Sequence, residues 1–546
     1  MVQGRTKLFR ALEIIPGVAT WTTLLGSILL SYFVPVWVAI FILLFDLYWV
    51  LKAINTALHL LSSFFKLKIH NRYDWMWRLR QLADLGSYRQ DLRQAPSRDL
   101  RQEYKRLARI DFSGRMLDWK QIYHLVILPT FKENLVVLDQ SIRSIAEADF
   151  PTEKIFFILA VEERDYERAM ANARMLKNRY GETFFRFAVS VHPDGIPGEI
   201  QAKGANLTYA ARSAARQIRD LGISIDKVIV SALDSDTVVS QNYFAYLTYA
   251  FLTAEKPYRS SFQPMPVYNN NIWDAPAIAR VVAVANSFWQ MVEASRPDRL
   301  VTFSSHAMSL RALLEVDFWP VDVVSDDSQI FWRCWLHYDG DYRTVPIFTH
   351  ISLDAMLDES YWKTLVGQYK QKRRWAWGNS ENLPYLFTNA LKKKNIPWWK
   401  RALYLERMFE GYYFWATASI MIAGLGWLPL LLGGSSFDEQ ILAVNLPLLT
   451  RLIMQIATAF LIFSVYINMV LIPKRPPGYS RWKTVNMVLQ WFLVPIVSSI
   501  FGSLPAIDAQ TRAMFGKYLG FWVTPKARRL AFKEVQTVFE NHASKS

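Results

Sequence analysis

Two aspartates one residue apart are the clearest candidates for chemistry in this sequence. Asp234 and Asp236 directly follow Lys227–Leu233, a run of apolar and β-branched residues that is typical of a buried strand. In open α/β sheets, ligands bind at the carboxyl ends of the strands. Two carboxylates placed there suit a hard divalent cation, which commonly binds substrate phosphates. A solvated turn after a strand would show the same pattern, so the surrounding sequence has to decide.

The segments before the aspartates alternate between strand and helix patterns. This alternation predicts a parallel sheet with helices on both faces. The sequence shows no G-x-G-x-x-G after the first strand and no G-x-x-x-x-G-K, so a dinucleotide cofactor is not indicated. The predicted strands are His124–Pro129, Ile155–Val161, Phe185–Val191 and Lys227–Leu233, and the helices between them are Asn134–Ala148, Tyr166–Tyr180 and Ala205–Leu221.

Helices dominate the prediction beyond the aspartates. Pro276–Glu293 is apolar but interrupted by Arg280 and Asn286, which favours an amphipathic helix on a membrane surface or beneath the domain. Asp326 and Asp327 open a further helix. The other expected elements are a helix over Asn242–Thr253, a strand over Arg259–Tyr268 and a helix over Tyr361–Gly378 that ends in a basic, Trp-bearing cluster.

Long apolar stretches lie at both ends of the chain. Of the 546 residues 52% are hydrophobic and 20% are charged, which fits membrane spans combined with a water-facing domain. Ile14–Phe65 is too long for a signal peptide and predicts spans near Val18–Val34 and Val36–Leu60. Val485–Leu504 could be one span that places the tail outside. A break at Pro495 would instead make it a re-entrant segment or a hairpin and leave the tail cytoplasmic, which is the arrangement we favour. Two further apolar stretches precede it, Tyr412–Leu432 and Pro447–Ile472.

The charge distribution indicates which side of the membrane the polar domain faces. Lys and Arg number 63 against 47 Asp and Glu, a net charge of +16. The Arg-rich segment Lys66–Lys120 directly follows a predicted span, which favours a cytoplasmic position against anionic lipid heads over nucleic-acid binding. The single cysteine, Cys334, excludes an intramolecular disulfide and a cysteine-based zinc cluster. We therefore expect an integral protein of the inner or plasma membrane with a cytoplasmic catalytic domain and no nucleic-acid partner.

Four short motifs occur in a fixed order, flanked by these spans. They are Pro129–Glu133 (PTFKE), Asp234–Asp236 (DSD), Ser325–Asp327 (SDD) and Gln371–Trp375 (QKRRW). Together they resemble the family 2 glycosyltransferases, and in particular their membrane-embedded, cellulose-synthase-like branch, over roughly residues 123–378. The resemblance implies an α/β GT-A domain, the Rossmann-like fold of nucleotide-diphospho-sugar transferases, inserted between transmembrane helices.

The resemblance also implies a donor site. One departure concerns the Asp-Asp pair that usually follows the second strand, where this chain has Glu162 and Glu163; we assign the contact to Glu162, although the sequence leaves the choice between the two open. Asp234 and Asp236 match the residues that hold Mg²⁺ or Mn²⁺. The residues expected to bind the nucleotide-sugar are Thr130, Glu133, Glu162, Lys203, Asp234, Gln371 and Arg374.

Asp327 matches the family's general base, and a carboxylate is suited to take the proton of an attacking hydroxyl. A single base with no second carboxylate as nucleophile predicts inversion at the anomeric carbon. The segment Phe303–Ala307 stands where the family has an acceptor loop, but carries Ser and His there. Alternatives exist for these residues. Asp326 and Asp327 could simply be carboxylates that complement the dipole at a helix N-terminus. Lys372, Arg373 and Arg374 could form an interfacial basic cluster, and His306 could be packed or hydrogen-bonded. The expected acceptor-binding residues are Ser305, His306, Asp326 and Trp375.

These inferences predict both a function and a division of the chain into six segments. The predicted function is transfer of a sugar from a nucleotide-diphospho-sugar, expected to be UDP-linked, to a growing polysaccharide. Whether a partner exports the product is left open. A non-processive enzyme acting on a membrane lipid is the alternative, and a non-catalytic transporter or scaffold is the alternative of another class. The segments are a transmembrane hairpin (1–65), a basic helical linker (66–120), the GT-A domain (121–380), interfacial helices (381–411), C-terminal spans (412–510) and a basic tail (511–546).

Overall fold

The computed structural model describes residues 6–115, 117–520, 522 and 524, so the basic tail lies outside the described residues from position 525 on. The chain divides into two compact units. The sheet unit contains residues 65–267 and 293–353. The helical unit contains residues 6–64, 268–292 and the described residues from 354 onward.

Helices occupy most of the described chain. The first two meet at Val34 and Pro35, between the two predicted N-terminal spans. Proline suits the first position of a helix and disfavours helix in the residue before it. In chain order the helices are α1 Lys7–Phe33, α2 Pro35–His70, α3 Trp75–Gln81, α4 Leu85–Gln94, α5 Arg98–Ala108, α6 Leu135–Ala146, α7 Tyr166–Tyr180, α8 Lys203–Asp220, α9 Tyr243–Leu252, α10 Ala277–Ala294, α11 Leu310–Glu315, α12 Asp326–His337, α13 Tyr361–Lys392, α14 Trp398–Ala423, α15 Leu428–Leu432, α16 Ser435–Asp438, α17 Ile441–Leu471, α18 Arg481–Leu489, α19 Val494–Ser498 and α20 Leu504–Met514.

In the part of the chain that the structure describes, eight strands form one sheet in the order β3-β2-β1-β4-β7-β6-β8-β5. All eight residues of β2 are buried, as expected for a Val-, Ile- and Leu-rich strand covered by helices on both faces. In chain order the strands are β1 Tyr123–Thr130, β2 Ile155–Glu162, β3 Arg186–His192, β4 Val228–Ala232, β5 Val238–Val239, β6 Ser260–Tyr268, β7 His306–Ser309 and β8 Arg343–Leu353.

The sheet is mixed: the four strands of the strand–helix repeat are parallel, as predicted, and later strands add antiparallel pairs. Strands β1 to β4 are parallel, because each of the first three is followed by a crossover helix. Strand β7 runs antiparallel to β4, with Ala232 opposite His306, and β6 runs antiparallel to β7. The start of β7 therefore lies at the edge where β4 ends. Neither β7 nor β8 was predicted from the sequence.

The helical unit carries the apolar segments. Among the described residues three helical segments are long and apolar enough to cross a membrane: Lys7–Phe33, Pro35–His70 and Arg481–Met514, the last comprising α18 to α20. They include the two predicted N-terminal spans and Val485–Leu504. The predicted span Tyr412–Leu432 is divided between α14 and α15, and Pro447–Ile472 forms most of α17. Helix α13 continues past Gly378 and through Pro384, whereas the sequence predicted an end at Gly378.

Candidate active site

The candidate site lies at one edge of the sheet. Because β1, β2, β3 and β4 are parallel, their carboxyl ends share this edge. Thr130 ends β1, Glu162 ends β2, His192 ends β3 and Asp234 follows β4. The loop before β7 reaches the same edge through the Ala232–His306 pair. The topology thus brings together residues that were singled out from separate parts of the sequence.

The ammonium of Lys203 joins two of the three aspartates expected to do chemistry. Its Nζ donates to Asp234 Oδ1 at 2.7 Å and to Asp327 Oδ1 at 2.6 Å. The Lys203 side chain is 14% exposed, and those of Asp234 and Asp327 are 25% and 26% exposed. Burial disfavours the ammonium, but Asp234, Asp327 and Asp326 outweigh burial and raise the pKa of Lys203. Lys203 is therefore a fixed cation between the candidate metal ligand and the candidate base.

Gly204 explains how this ion triad can form. Lys203 opens α8 and Asp326 opens α12, two helices that are distant in sequence. A Cβ on Gly204 would lie 2.4 Å from the carbonyl oxygen of Pro320 and 2.8 Å from Cβ of Asp326. Only glycine permits this close approach. The first turn of α8 can therefore bring Lys203 against Asp327.

Two serines hold the Asp234 loop in place. Ser304 donates its hydroxyl to Asp234 Oδ2, and the backbone N–H of Asp234 donates to Ser305 Oγ at 3.0 Å. The Ser305 hydroxyl also bonds Thr237 Oγ1 at 2.8 Å, and Ser305 has a φ of 60°, in the left-handed region that favours glycine. Ser305 is fully buried. The Ser305 hydroxyl is thus engaged by the backbone of Asp234 and by Thr237.

His306 is also fully buried. Its Nδ1 lies 2.9 Å from the carbonyl oxygen of Phe303, and its Nε2 accepts the indole N–H of Trp319 at 3.2 Å. These partners fix a neutral imidazole that carries its proton on Nδ1. Burial lowers the pKa of His306, although Asp327, 3.9 Å from Nδ1, opposes this. The surroundings match the packed histidine that was the alternative for this residue.

Glu133 connects the loops after β1 and β4. Its Oε2 accepts from Thr130 Oγ1 at 2.8 Å and from the backbone N–H of Phe131 at 2.5 Å. Its Oε1 accepts from Ser235 Oγ at 2.9 Å. Thr130 and Ser235 are both buried. Glu133 therefore positions the Asp234–Asp236 loop, and its two oxygens are engaged by the protein itself.

A cavity of about 150 Å³ opens beside the ends of β2 and β3. Glu162, Arg164, His192, Glu199 and Gln201 contribute to its lining. Glu162 accepts from both Nε and Nη2 of Arg164, and the Arg164 guanidinium lies over the ring of Phe131, 4.3 Å from its centroid. Burial raises the pKa of Glu162, and the bonds from Arg164 oppose that rise.

Glu163 has a different partner, because its Oε2 accepts the backbone N–H of Asp194 at 2.9 Å. Of the two glutamates, Glu162 is the one that lines the cavity. Sequence reasoning did not single out Arg164, His192 or Glu199, because their contribution depends on how the loop after β3 folds back.

The remaining predicted site residues lie on α13 in the helical unit. Gln371 Oε1 accepts from Gln368 Nε2 at 3.0 Å, and the ring of Trp375 is 6.2 Å from that of Tyr268. Arg374 lies between them in sequence, with its Nε buried. These residues form part of the helical unit, whereas all other predicted site residues belong to the sheet unit.

The donor set at the sheet edge fits a hard divalent cation. Asp234 and Asp236 offer carboxylate oxygens, and the neighbouring Ser304 offers a hydroxyl. In the part of the chain that the structure describes, no group of three or more His, Cys, Asp or Glu side chains could hold a metal. The protein would therefore supply two carboxylates, and phosphate oxygens or water would complete the coordination, as Mg²⁺ sites commonly require.

The sequence comparisons bear on this edge of the sheet. Residues 229–475 match the model of glycosyl transferase family group 2. That range includes Asp234, Asp236, Asp327 and the motif Gln371–Trp375. It begins after Thr130, Glu133 and Lys203, which therefore lie outside the match. No curated protein is significantly similar to the chain in sequence.

The solved structures that the chain matches include a mannosyltransferase and TarS 1–349. The mannosyltransferase PcManGT from Pyrobaculum calidifontis, solved with GDP-Man and Mn²⁺, has a TM-score of 0.39 and 14% identity over 85% of this chain and 99% of its own. TarS 1–349 from S. aureus, solved with UDP-GlcNAc, has a TM-score of 0.34 and 10% identity over 74% of this chain and 94% of its own. Similarities this low decide nothing about substrate. The family match, which includes the aspartates at the edge of the mixed α/β sheet, identifies the chain as a glycosyltransferase.

Proposed function

We propose that this glycosyltransferase is membrane-embedded, divalent-metal-dependent and inverting, and that it transfers a sugar from a nucleotide-diphospho-sugar, UDP-linked in the first instance, to a growing polysaccharide. The observation that carries the proposal is the Lys203 ammonium, bonded to Asp234 at 2.7 Å and to Asp327 at 2.6 Å at the sheet edge. A cation, a metal-binding carboxylate and a base are the three groups that sugar transfer from a diphosphate needs.

The chain's own residues divide the reaction between them. The acceptor hydroxyl oxygen attacks the anomeric carbon, its proton passes to Asp327, and the bond from that carbon to the diphosphate oxygen breaks. A direct displacement by the acceptor inverts the anomeric centre. Lys203 faces the phosphate oxygens and stabilises the negative charge of the leaving nucleoside diphosphate. Asp234 and Asp236 would hold Mg²⁺ or Mn²⁺, which when bound neutralises diphosphate charge.

The cavity at the ends of β2 and β3 suits the nucleoside part of the donor. Its lining offers a carboxylate in Glu162, the guanidinium of Arg164 and the imidazole of His192, so it provides both donors and acceptors of hydrogen bonds. The cavity has a volume of about 150 Å³, and its lining includes Gln201 and Ala202, which directly precede Lys203 in the chain. We therefore assign this cavity to the base and ribose, and Glu162 to the contact that the sequence left open.

The membrane setting supports transfer to a product that is made at the bilayer. In the described part of the chain three helical segments are long and apolar enough to span a membrane, and the basic residues near the end of α2, including Lys66 and Lys68, favour a cytoplasmic catalytic side. Trp375 on α13 offers an aromatic face of the kind that sugar rings contact. A lipid acceptor would use the same donor chemistry, and the length of the product separates these two outcomes.

Nucleotide release by the purified full chain in lipid nanodiscs tests the proposal. A panel of UDP- and GDP-sugars is supplied with Mg²⁺ or Mn²⁺, and Asp327→Asn is measured beside the unaltered chain. We expect one donor to turn over, and both the substitution and a chelator to abolish turnover. Asp317→Asn is the matched control, because Asp317 is an exposed aspartate that pairs with Arg212 away from the triad. Unchanged turnover in Asp327→Asn would refute the assignment of the base.

A further inference from the structure

Lys372, on α13 of the helical unit, has surroundings unlike those of its neighbours. Its Nζ lies over the rings of Trp375 and Trp415, 5.2 and 4.8 Å from their centroids, and donates to Asn286 Oδ1 at 3.3 Å. Among the described residues no carboxylate lies within 4.0 Å of this ammonium. Its side chain remains partly exposed. Lys372 is thus an enclosed but accessible cation without a counter-ion.

The adjacent arginine shows how a charge in this unit is ordinarily compensated. Arg373 Nη1 bonds Asp508 Oδ2 at 2.8 Å, and Arg512 Nε bonds the other oxygen of Asp508 at 2.6 Å. Asp508 is therefore occupied by two guanidinium groups. Asp508 is therefore not the counter-ion of Lys372.

Helix α10, which contacts Lys372 through Asn286, carries two buried side-chain hydrogen-bond donors that have no acceptor in the described part of the chain. They are the side-chain N–H groups of Asn286 and Gln290. The two residues are one helical turn apart, so they share a face of α10. Gln290 is only 3% exposed. Buried donors are rarely left unsatisfied, which indicates that a group rich in oxygen atoms completes them.

Aromatic rings complete the surroundings. The ring of Tyr268 is 6.2 Å from that of Trp375, and the backbone N–H of Tyr268 donates to Ser287 Oγ on α10 at 3.1 Å. The end of β6, α10 and α13 therefore meet around Lys372. Aromatic faces beside a cation and amide donors form a suitable receptor for a sugar that bears a negatively charged oxygen group.

We propose that Lys372, Asn286 and Gln290 bind an oxyanion, phosphate or carboxylate, carried by the acceptor. The proposal rests on the proposed function, since it gives the acceptor of that reaction an acidic group: the phosphate of a lipid or the carboxylate of an acidic glycan.

Cation–π contacts alone are not expected to offset the cost of enclosing the Lys372 ammonium. Burial lowers the pKa of Lys372 to about 8, so loss of hydration disfavours its charge. Cation–π attraction is usually smaller than the desolvation cost of a buried ammonium. A bound oxyanion would supply the missing counter-charge and accept the N–H groups of α10.

Chemical labelling of lysines tests the site without requiring turnover. The full chain in phosphatidylcholine nanodiscs is treated with an amine-acylating reagent near pH 8, and modification of Lys372 and Lys370 is followed by peptide mass spectrometry. Lys370 is the internal control, because it is exposed on the same helix and lies over Trp522. The probes are phosphatidic acid in the nanodisc, a soluble glucuronate oligosaccharide and a neutral glucose oligosaccharide.

We expect phosphatidic acid or the glucuronate oligosaccharide to slow acylation of Lys372 about tenfold relative to Lys370, the size expected for one charge-assisted hydrogen bond. Which of the two protects identifies the source of the oxyanion. Equal protection by the neutral oligosaccharide, or protection by neither acidic probe, would overturn the inference.

A second measurement uses the variants Lys372→Met and Lys370→Met. Once a donor and acceptor are known, Lys372→Met should raise the KM for the acceptor about tenfold and leave the KM for the donor unchanged, and Lys370→Met should change neither. A purely structural role of Lys372 would alter both constants or the melting temperature. Because labelling needs no catalysis, failure of this inference is distinguishable from failure of the proposed reaction.

Discussion

Replacing Lys203 by methionine tests the arrangement on which the proposed reaction depends. The substitution keeps the length of the side chain and removes the cation that lies 2.7 Å from Asp234 and 2.6 Å from Asp327. Two carboxylates about 5 Å apart at an effective dielectric constant of about 20 repel each other by about 3 kcal/mol. Since both side chains are about a quarter exposed, solvent reduces this value. We expect the free energy of unfolding to fall by about 1–3 kcal/mol.

The same variant should bind Mn²⁺ more tightly in the absence of nucleotide. Lys203 competes with a metal for Asp234 Oδ1, and one hydrogen bond to a charged group contributes about 1.5–3 kcal/mol. Its removal should therefore tighten Mn²⁺ binding roughly 10- to 100-fold. Turnover of the donor should fall by a similar factor, because no ammonium then faces the diphosphate. Metal affinity and activity are thus expected to change in opposite directions.

Electron paramagnetic resonance of free Mn²⁺ measures the affinity, and nucleotide release measures turnover. Lys227→Met is the matched control, since Lys227 precedes β4 at its other end and bonds Gln121 at 2.7 Å. Unchanged or weaker Mn²⁺ binding in Lys203→Met would refute the placement of the metal on Asp234. Tighter Mn²⁺ binding with undiminished turnover would instead remove Lys203 from the reaction.

Two further substitutions test the packing behind the site and a pH dependence of stability. Gly204→Ala must displace the backbone of Pro320, whose carbonyl oxygen lies 2.4 Å from the added Cβ. Thermal melting should therefore show that the free energy of unfolding falls by about 1–3 kcal/mol, and nucleotide release should fall as well. Gly86→Ala is the control and should change neither, because the nearest atom to its added Cβ is 3.5 Å away. Burial lowers the pKa of His124 to about 3, below its ordinary 6.5, so the unfolded chain binds a proton that the folded chain does not and stability falls as the pH drops through 6.5. His124→Phe should remove this contribution of about 1.4 kcal/mol per pH unit, and equal slopes of melting temperature against pH in both proteins would show that folded His124 is already protonated.

Local patterns were sufficient for much of the sheet unit. Tyr166–Tyr180 has the predicted bounds, and β2 differs from its prediction by one residue, because helical periodicity and runs of apolar residues are properties of the segments themselves. Strand β7 has only four residues, His306–Ser309, and forms through pairing with β4. Strand β8 contains Pro346, which argues against a strand when only the sequence is considered. Tertiary pairing, which a single sequence does not display, decides both.

In the candidate site, too, some features were predictable from the sequence and others were not. The topology explains why the aspartates meet, since strand ends of parallel strands share an edge. The bond from Lys203 to Asp327 joins residues 124 positions apart and depends on a close approach of two helices at Gly204. An interfacial basic cluster was the alternative interpretation for Lys372, and its contacts with two tryptophan rings are visible only in the fold. Residue types were enough to predict the kind of chemistry, whereas the bonding partners and the solvent exposure of each side chain could be seen only in the structure.

The charges at the sheet edge lead to a requirement for the donor. Lys203 is surrounded by Asp234, Asp326 and Asp327, and Asp236 lies in the same loop as Asp234. A nucleoside diphosphate adds further negative charge to a site in which carboxylates already outnumber the ammonium. Arg164 contributes little compensation, because Glu162 already engages its guanidinium. We therefore expect UDP to bind at least about tenfold more weakly when a chelator removes divalent cations, since one unfavourable close charge pair costs on the order of 1–3 kcal/mol. Isothermal titration with and without Mn²⁺ measures this difference, and equal affinities would show that the protein alone neutralises the diphosphate.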